Sequence, residues 1–425
     1  MRRIDTDFFI RPMEPLFFGE PRPFNAGESH FARSQFPPSP MTFQGMVRSQ
    51  LLRSVEPPLD LDDWSREKRE ERAALVGSSD RLPPGWQIKG PLPAVVEYDE
   101  DGQKVLHPWS PAPRFLYRRD SGPGFIRGRL LTSNQQAMDD RPDCRNPDGP
   151  TAALFGPLPE RRKYRTLDGW VDGETLYRAL ASETDYFPDK GSAAVPPFVK
   201  DTEPHPGIAL DRQSNTSEDG MLYVLEHLRF ARGGGFWGRF SGNMDERFGP
   251  KPLCQGVGGA GKKARLVAFE DPPPLKSCWR ELLAGKHLAG QNDRKGRYWL
   301  YLLTPVRIEP GQRAENGATM LPGGVVLRRG ALPPGISIRC TVALTGSPIV
   351  LGGMDTARGH SRPNNAYVPP GSAWLIEIET AGNDLLRQTL QRLNDAHPMG
   401  DPDEACFGFG HTLVGIEPDG KEHSR

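Results

Sequence analysis

Apolar and polar positions along the chain alternate in short runs, and only a few segments show the spacing of a helix. Met41, Val47 and Leu51 recur at helical spacing, and Ser39-Pro40 before them supplies an N-cap and a proline in the first turn. The pattern predicts helices over 41–54, 60–74, 172–182 and 385–394. It predicts strands over 5–10, 89–98, 104–108, 207–230 with a turn at 215–220, 236–240, 265–269, 297–308, 337–345, 373–378 and 411–416.

A run of prolines, Pro272 to Pro274, marks the best boundary between two parts of the chain. Three consecutive prolines exclude both a helix and a central strand. Both sides of this boundary mix many strands with few helices, which predicts an α+β fold with domains at 1–274 and 275–425. The ferredoxin-like, or RRM-like, unit is the simplest hypothesis for each domain, with long loop and hairpin insertions. The segment 118–164, rich in Arg, Gly and Pro, is interpreted as an inserted loop.

Composition supports two loop-rich domains in a reducing compartment. The chain has 425 residues, with 47 glycines and 44 prolines. No stretch of about 18 apolar residues and no apolar N-terminal signal segment occurs, so we expect a cytoplasmic protein without a membrane span. The five cysteines are odd in number and far apart, which argues against a disulfide framework and a zinc site.

The formal net charge is zero, so no global field attracts nucleic acid. The basic residues comprise 41 arginines and only 13 lysines. The guanidinium of arginine forms bidentate hydrogen bonds with phosphates and stacks on flat aromatic rings. GC-rich coding explains much of this bias, so local clusters carry more weight than the total.

A glycine-rich segment at 254–263 resembles a damaged nucleotide-binding loop. Gly256 followed by Gly261-Lys262 fits the first seven positions of the phosphate-loop motif, but Lys263 replaces the Ser or Thr that binds magnesium. The residues after it predict a strand, whereas a phosphate loop precedes a helix. An NTP site is therefore excluded. Two alternatives stay open, a hairpin turn with solvated lysines and a loop that contacts a phosphate backbone.

Two further segments are candidates for contact with nucleic acid. The segment 229–240 interleaves three arginines with aromatic residues, which suits either unstacked bases or a core strand pair with surface arginines. The segment 358–362 is cationic and free of apolar side chains. It is expected to be an exposed loop or an RNA-contacting finger.

Catalysis has weak support in the sequence. The nine histidines are scattered, and none pairs with Cys or a carboxylate at metal-ligand spacing. His227 is interpreted as a structural histidine in a strand. His411 follows the glycine loop at 407–410 and is the best candidate for a general base, although no second catalytic group lies near it in the sequence. We expect no enzyme activity, no metal and no cofactor.

A series of segments in a fixed order resembles a known family. The segments are 36–48, 90–92, 107–113, 169–171, 207–212, 220–229, 258–264, 304–305, 352–355, 368–372 and 408–411. Together they are similar to the third-subunit family of the Cmr complex, the type III-B CRISPR effector. This family belongs to the five-prime-handle-binding branch of the repeat-associated mysterious proteins.

The resemblance implies a non-catalytic subunit of a ribonucleoprotein that binds the repeat-derived five-prime tag of the CRISPR RNA. It implies docking to the large polymerase/cyclase subunit and to a backbone subunit, with target RNA met only indirectly. Nuclease and cyclic-oligoadenylate activities would belong to those neighbours. The alternative is a metal-independent, repeat-processing endoribonuclease that uses His411 or His360 as general acid or base.

The family pattern and the basic segments together predict the residues at the RNA surface. In this chain Ala260 replaces a usual Glu, Lys262 stands where Arg is usual, and Met354 replaces a usual Trp. The residues expected to contact RNA are Arg33, Ser39, Gln44, Arg48, Arg212, Arg229, Arg232, Gly258, Gly259, Gly261, Lys262, Lys263, Arg265, Arg358, Arg362, Gly408, Gly410 and His411.

Overall fold

The structure is a computed structural model, and it describes residues 1–21, 31–63, 65–119, 124–130, 155–156, 164–184, 186–210, 216–261, 264–291, 295–309 and 318–418. Its α-helices are α1 (Pro40–Arg53), α2 (Arg66–Val76), α3 (Gly173–Leu180), α4 (Ser277–Leu283), α5 (Asn383–Leu393) and α6 (Pro402–Cys406).

Strands make up most of the regular structure. The strands before the proline run are β1 (Arg2–Pro12), β2 (Phe31–Ala32), β3 (Gln87–Tyr98), β4 (Lys104–Pro111), β5 (Leu116–Arg119), β6 (Phe125–Arg127), β7 (Arg129–Leu130), β8 (Phe155–Gly156), β9 (Tyr164–Thr166), β10 (Trp170–Asp172), β11 (Tyr186–Phe187), β12 (Ser192–Ala193), β13 (Val199–Leu210), β14 (Ser217–Phe230), β15 (Gly234–Met244), β16 (Val257–Ala260) and β17 (Arg265–Glu270). Those after it are β18 (Lys295–Leu302), β19 (Val306–Arg307), β20 (Thr319–Leu321), β21 (Val325–Leu327), β22 (Ser337–Leu344), β23 (Ile349–Asp355), β24 (His360–Val368), β25 (Ala373–Glu379) and β26 (Thr412–Ile416).

The larger sheet is built around β1. Its strand order is β12-β10-β4-β3-β15-β1-β17-β16, so β16 forms one edge. Strand β1 pairs antiparallel with both β15 and β17, and β15 pairs antiparallel with β3. Phe8 and Phe9 on β1 point to opposite faces. Phe8 stacks on Phe43 of α1, with ring centroids 5.8 Å apart, so α1 covers one face of the sheet.

The second sheet has the order β22-β25-β18-β26, with every neighbouring pair antiparallel. Trp374 on β25 belongs to a core that includes Leu386 and Leu390 of α5, so α5 covers the outer face of this sheet. The neighbouring residue Leu375 points the other way and belongs to a core with Phe9.

The two sheets therefore face each other across a common core. Phe9 and Trp237 from the first sheet share this core with Trp299, Leu375 and Leu413 from the second, and all five side chains are buried. The layers run α1, first sheet, shared core, second sheet, α5. The division into domains at 274 stays a prediction.

The structure confirms the α+β class and most of the predicted elements. The helix predicted over 60–74 begins only at Arg66, because Ser65 accepts a hydrogen bond from the Lys68 amide and caps it there. Helix α4 and the β23–β24 hairpin were not predicted. The segment 358–362, expected as a loop or finger, forms the tip of that hairpin. Within 118–164, interpreted as a loop, the short strands β5 to β9 occur, and much of the remainder lies outside the described residues.

Candidate nucleic-acid interface

The N-terminus of α1 lies against the glycine loop at 407–410. Ser39 caps α1 by accepting a hydrogen bond from the Thr42 amide at 3.2 Å. Gly408 has a φ of 107°, and a Cβ on it would lie 2.7 Å from the carbonyl oxygen of Gly90. Only glycine fits this close approach between backbones. Ser39 and Gly408 therefore fix the position of the N-terminus of α1 against the first sheet.

Arg48 lies on the next turns of α1 and donates to groups of the protein itself. Its guanidinium donates to the carbonyl oxygen of Gly77 at 2.6 Å and to the Gln44 side chain at 3.1 Å. Burial, and then the nearby Arg362 cation, lower the pKa of Arg48 to about 10. These bonds connect α1 to the loop after α2, and direct RNA contact by Gln44 or Arg48 stays a prediction.

The two predicted arginines of the β23–β24 hairpin pair with carboxylates beside that loop. Arg358 lies 2.6 Å from Asp80, and Arg362 lies 3.1 Å from Asp80 and 3.3 Å from Asp355. Burial alone would raise the pKa of Asp355, but hydrogen bonds from Ser79 and the Arg358 amide and the two arginines lower it. The ion pairs hold the hairpin against the rest of the molecule. RNA would have to compete with Asp80 for Arg358, which is half exposed.

The glycine-rich segment lies in a β-hairpin formed by β16 and β17, residues 257–270, called the glycine hairpin below. Both alternatives stated for it, a turn with solvated lysines and a loop that contacts phosphates, stay predictions. Strand β17 follows the turn, so the segment lacks the helix that a phosphate loop requires. Gly261 has a φ of 62°, and a Cβ there would lie 2.2 Å from the Phe17 carbonyl oxygen. On the α1 side, the Gln50 amide donates to the Gln255 carbonyl at 2.9 Å. The hairpin is thus packed between α1 and the chain around Phe17.

Three further residues of the glycine hairpin, Gly258, Gly259 and Arg265, also contact other groups of the protein. A Cβ on Gly258 would lie 2.9 Å from Phe269, and one on Gly259 would lie 2.8 Å from the Ala264 methyl. Arg265 bonds Glu14 at 2.8 Å, and the Leu266 amide donates to the same carboxylate at 2.6 Å. The hydrogen bond from the Leu266 amide has the largest effect in lowering the pKa of Glu14, and the bond from Arg265 lowers it further. Lys262 and Lys263 lie outside the described residues.

Beside the glycine hairpin lies the long hairpin formed by β13 and β14. Arg229 on β14 forms an ion pair with Glu203 across the strands, and its side chain is half exposed. Arg232, in the turn after β14, is exposed. Arg33 is also exposed and follows β2, which pairs with β14. Arg33, Arg229 and Arg232 therefore lie on or beside β14, and Arg265 lies close to the same strand at His227. Arg212 lies outside the described residues.

His411 is buried in a polar network between the two sheets. Its Nε2 lies 2.8 Å from Asp395, whose other oxygen lies 2.7 Å from the Lys89 ammonium of β3. Arg239 of β15 lies 3.9 Å from the same carboxylate. His397 stacks on His411, with ring centroids 4.8 Å apart. Burial lowers the pKa of His411, and this effect outweighs the hydrogen bond to Asp395, which acts to raise it.

This network gives His411 and Gly410 a structural role. A general base must reach a proton of the substrate, and the His411 side chain has no exposed surface. Gly410, at a φ of 67°, donates its amide to the Pro305 carbonyl at 2.8 Å. Burial also lowers the pKa of three further histidines, His227, His287 and His397. Direct RNA contact by Gly408, Gly410 and His411 stays a prediction.

Sequence reasoning found the cations of this region and missed the carboxylates that pair with them. Glu14 is 251 positions from Arg265, and Asp80 is 282 positions from Arg362. No local pattern connects such distant positions. The missed residues are Glu14, Asp80, Glu203, Asp355 and Asp395.

Among the described residues, no group of three or more His, Cys, Asp or Glu side chains has the arrangement of a metal site. No helix in the same part of the chain has the length and apolar character needed to cross a membrane.

The sequence as a whole matches a family of CRISPR-associated proteins over residues 8–417. That family is Cas_Cmr3, and because the match covers nearly the whole chain, the chain belongs to it. The resemblance to the third-subunit family of the type III-B Cmr complex is thereby confirmed. No curated protein matches the sequence.

Solved structures from type III CRISPR complexes show partial similarity. A chain of the type III-B Cmr-beta complex bound to cognate target RNA and AMPPnP has 14% identity and a TM-score of 0.43, covering 87% of this chain and 86% of that chain. A chain of a second Cmr-beta structure, bound to cognate target RNA, has 15% identity and a TM-score of 0.42, with the same coverage of both chains. A chain of the Csm3-Csm4 subcomplex of the type III-A interference complex has 10% identity and a TM-score of 0.37, covering 98% of this chain and 100% of that chain.

Proposed function

We propose that this protein is a non-catalytic subunit of a type III-B CRISPR effector that binds the repeat-derived five-prime tag of the CRISPR RNA. In this proposal it docks the large polymerase/cyclase subunit and a backbone subunit, meets target RNA only indirectly, and works in the cytoplasm. The observation that carries the proposal is membership of the Cas_Cmr3 family over residues 8–417.

We further propose that each half is a modified ferredoxin-like domain. In that unit the first strand lies between the third and the fourth, and the second strand lies beside the third. The orders β3-β15-β1-β17 and β22-β25-β18-β26 both fit this arrangement, with every pair antiparallel. Helix α1 occupies the first crossover of the first unit, and α5 occupies the second crossover of the second.

The layered fold argues that RNA contacts come from hairpins and loops. RRM domains stack bases on an exposed sheet face. Here Phe9 and Trp237 of the first sheet and Trp299 of the second are buried in the shared core, so the central strands offer no such face. The region bordered by Arg33, Arg229, Arg232, Arg265 and the glycine hairpin is the surface we propose for the RNA. Neutral net charge suits a subunit that meets RNA on one side and proteins on others.

The burial of His411 opposes the alternative of an endoribonuclease that uses this residue. His360 on β24 is exposed, but the polar contact described for its ring is with the neighbouring Ser361 carbonyl. A cleavage assay on repeat RNA with the purified chain tests the alternative. Turnover that is lost in His411→Ala or His360→Ala, in a variant that melts like the wild type, would support it over our proposal.

The glycine hairpin offers the direct test of RNA binding. We expect Lys262→Ala/Lys263→Ala to weaken binding of tagged single-stranded RNA and to lower the salt slope of the affinity by about 0.7 for each phosphate that is no longer neutralised. Fluorescence anisotropy at several salt concentrations measures both quantities. Lys104→Ala/Lys286→Ala, which removes two exposed lysines elsewhere, is the matched control. Equal affinity and slope in both variants would show that the hairpin is only a turn.

A further inference from the structure

A small cavity lies where the long β13–β14 hairpin meets the glycine hairpin. It has a volume of about 150 Å³, and its walls include Phe17, His205, Gly207, Tyr223, His227 and Arg265. An engineered protein cavity of about this volume holds one benzene molecule. The space therefore fits a single six-membered ring, and it is too small for a whole nucleotide.

The walls of the cavity are mainly flat rings. The Tyr223 ring lies directly against Gly207, because a Cβ at that position would be only 2.2 Å from it. The rings of His205 and His227 lie 4.2 Å apart, and the Phe17 ring lies 5.4 Å from His227. Flat aromatic surfaces of this kind stack unstacked bases of single-stranded nucleic acid.

His227 supplies a hydrogen-bond acceptor to the wall of this cavity. The side chain is 3% exposed, and its Nδ1 lies 3.3 Å from the Leu225 carbonyl oxygen, to which it donates. Burial lowers the pKa of His227, so the ring is neutral at pH 7 and Nε2 is a hydrogen-bond acceptor.

Arg265 contributes a donor to the same cavity. Its NH1 bonds Glu14, while its Nε is buried and has no hydrogen-bond partner within the described part of the chain. The edge of a pyrimidine places an N–H donor beside an acceptor, which matches an acceptor on His227 and a donor on Arg265. A buried polar atom without a partner is costly, and such a ligand would accept a hydrogen bond from Nε of Arg265.

We propose that this cavity receives one pyrimidine base of single-stranded RNA, with a base N–H donating to Nε2 of His227. The inference rests on the proposed function, since the ligand is RNA. It adds a base-recognition site to a surface otherwise expected to contact phosphates. The Gly261 turn, packed on Phe17, would then bring the RNA backbone past the mouth of the cavity.

The test compares RNAs and one variant by fluorescence anisotropy with the full chain. We expect short oligouridylate to bind about tenfold more tightly than oligoadenylate of the same length. We expect N3-methyluridine, which lacks the base N–H, to remove most of that preference. His227→Phe keeps a flat ring but loses the acceptor, and it should abolish the difference between uridine and N3-methyluridine. Tyr98→Phe, at an exposed ring on β3 away from the cavity, should leave the difference unchanged.

The outcomes separate this inference from the proposed function. If the wild type binds none of these RNAs, nor tagged RNA, both the function and the cavity assignment are wrong. If it binds RNA with a salt-dependent affinity but equally for uridine, N3-methyluridine and adenosine, only the cavity assignment is wrong. The N3-methyluridine comparison uses the wild-type chain, so the test survives a variant that fails to fold.

Discussion

Replacing Asp395 by asparagine removes the carboxylate that joins the two sheets while keeping the shape of the side chain. Asp395 bonds His411 at 2.8 Å and Lys89 at 2.7 Å, and its side chain is 14% exposed. The change leaves the Lys89 ammonium, which is 15% exposed, without its counterion and near the Arg239 cation. Removing one partner of a buried ion pair costs about 3 kcal/mol or more, because the other charge stays buried.

Thermal and urea unfolding of the purified chain measure this destabilisation. At about 2 °C per kcal/mol for a large domain, we expect Tm to fall by about 6 °C in Asp395→Asn. Asp384→Asn on α5 is the control, because its ion pair with Arg387 is exposed on both sides and contributes about 0.5 kcal/mol or less. Adding Lys89→Met to Asp395→Asn should recover part of the stability, since no buried charge then lacks a partner.

The lowered pKa of Asp395 determines the pH range over which this carboxylate stabilises the fold. Burial raises the pKa of Asp395, but the bonds from His411 and Lys89 outweigh it and lower the pKa below the ordinary value of 3.8. The stabilisation is therefore complete well above pH 3.8 and is lost as the pH falls through the folded-state pKa. The gap in Tm between wild type and Asp395→Asn should narrow only in strong acid. A Tm of Asp395→Asn within one degree of Asp384→Asn at neutral pH would refute the reasoning.

Two further predictions concern the glycine hairpin and the buried histidines. Gly261→Ala should lower the free energy of unfolding by about 2 kcal/mol more than Gly359→Ala, because both glycines have a positive φ but only Gly261 meets a backbone atom, the Phe17 carbonyl oxygen, at 2.2 Å. Urea unfolding measures the difference, and equal destabilisation would contradict the packing described. Burial lowers the pKa of four histidines, so below pH about 6.5, the ordinary pKa of histidine, the unfolded chain binds more protons than the folded one. The free energy of unfolding should therefore fall by up to about 1.4 kcal/mol per histidine and pH unit from pH 7 to 5. A Tm that stays constant or rises over that range would contradict this assignment, which concerns His227, His287, His397 and His411.

Local signals predicted those elements whose boundaries are fixed by neighbouring residues. Helix α1 was predicted within one residue at each end, because Ser39-Pro40 contains its own start signal. The β23–β24 hairpin was missed, because Gly352-Gly353 and Pro363 weaken its strand pattern. It forms because β24 also pairs with β19 and because ion pairs with Asp80 hold its tip, neither of which is local.

The candidate site shows the same division between local and distant information. Strand β17, which the sequence predicted after the glycine-rich turn, is present, and a phosphate loop would need a helix at this place. Phosphate contact by the hairpin stays a prediction. The role of His411 could not be predicted, since its partners Asp395 and Lys89 meet it only when the two sheets pack together. The cavity beside His227 likewise depends on contacts between Phe17, β14 and the glycine hairpin.

The position of β16 at the edge of the first sheet affects how the purified protein should be handled. Val257 on this strand and Leu266 on its neighbour are about half exposed, as is Met13 beside Leu266 on the same face. An edge strand with apolar neighbours invites pairing with another copy, and such pairing leads to aggregation. We therefore expect the chain to stay monodisperse longest at low concentration, or when it is produced together with a protein that covers this edge.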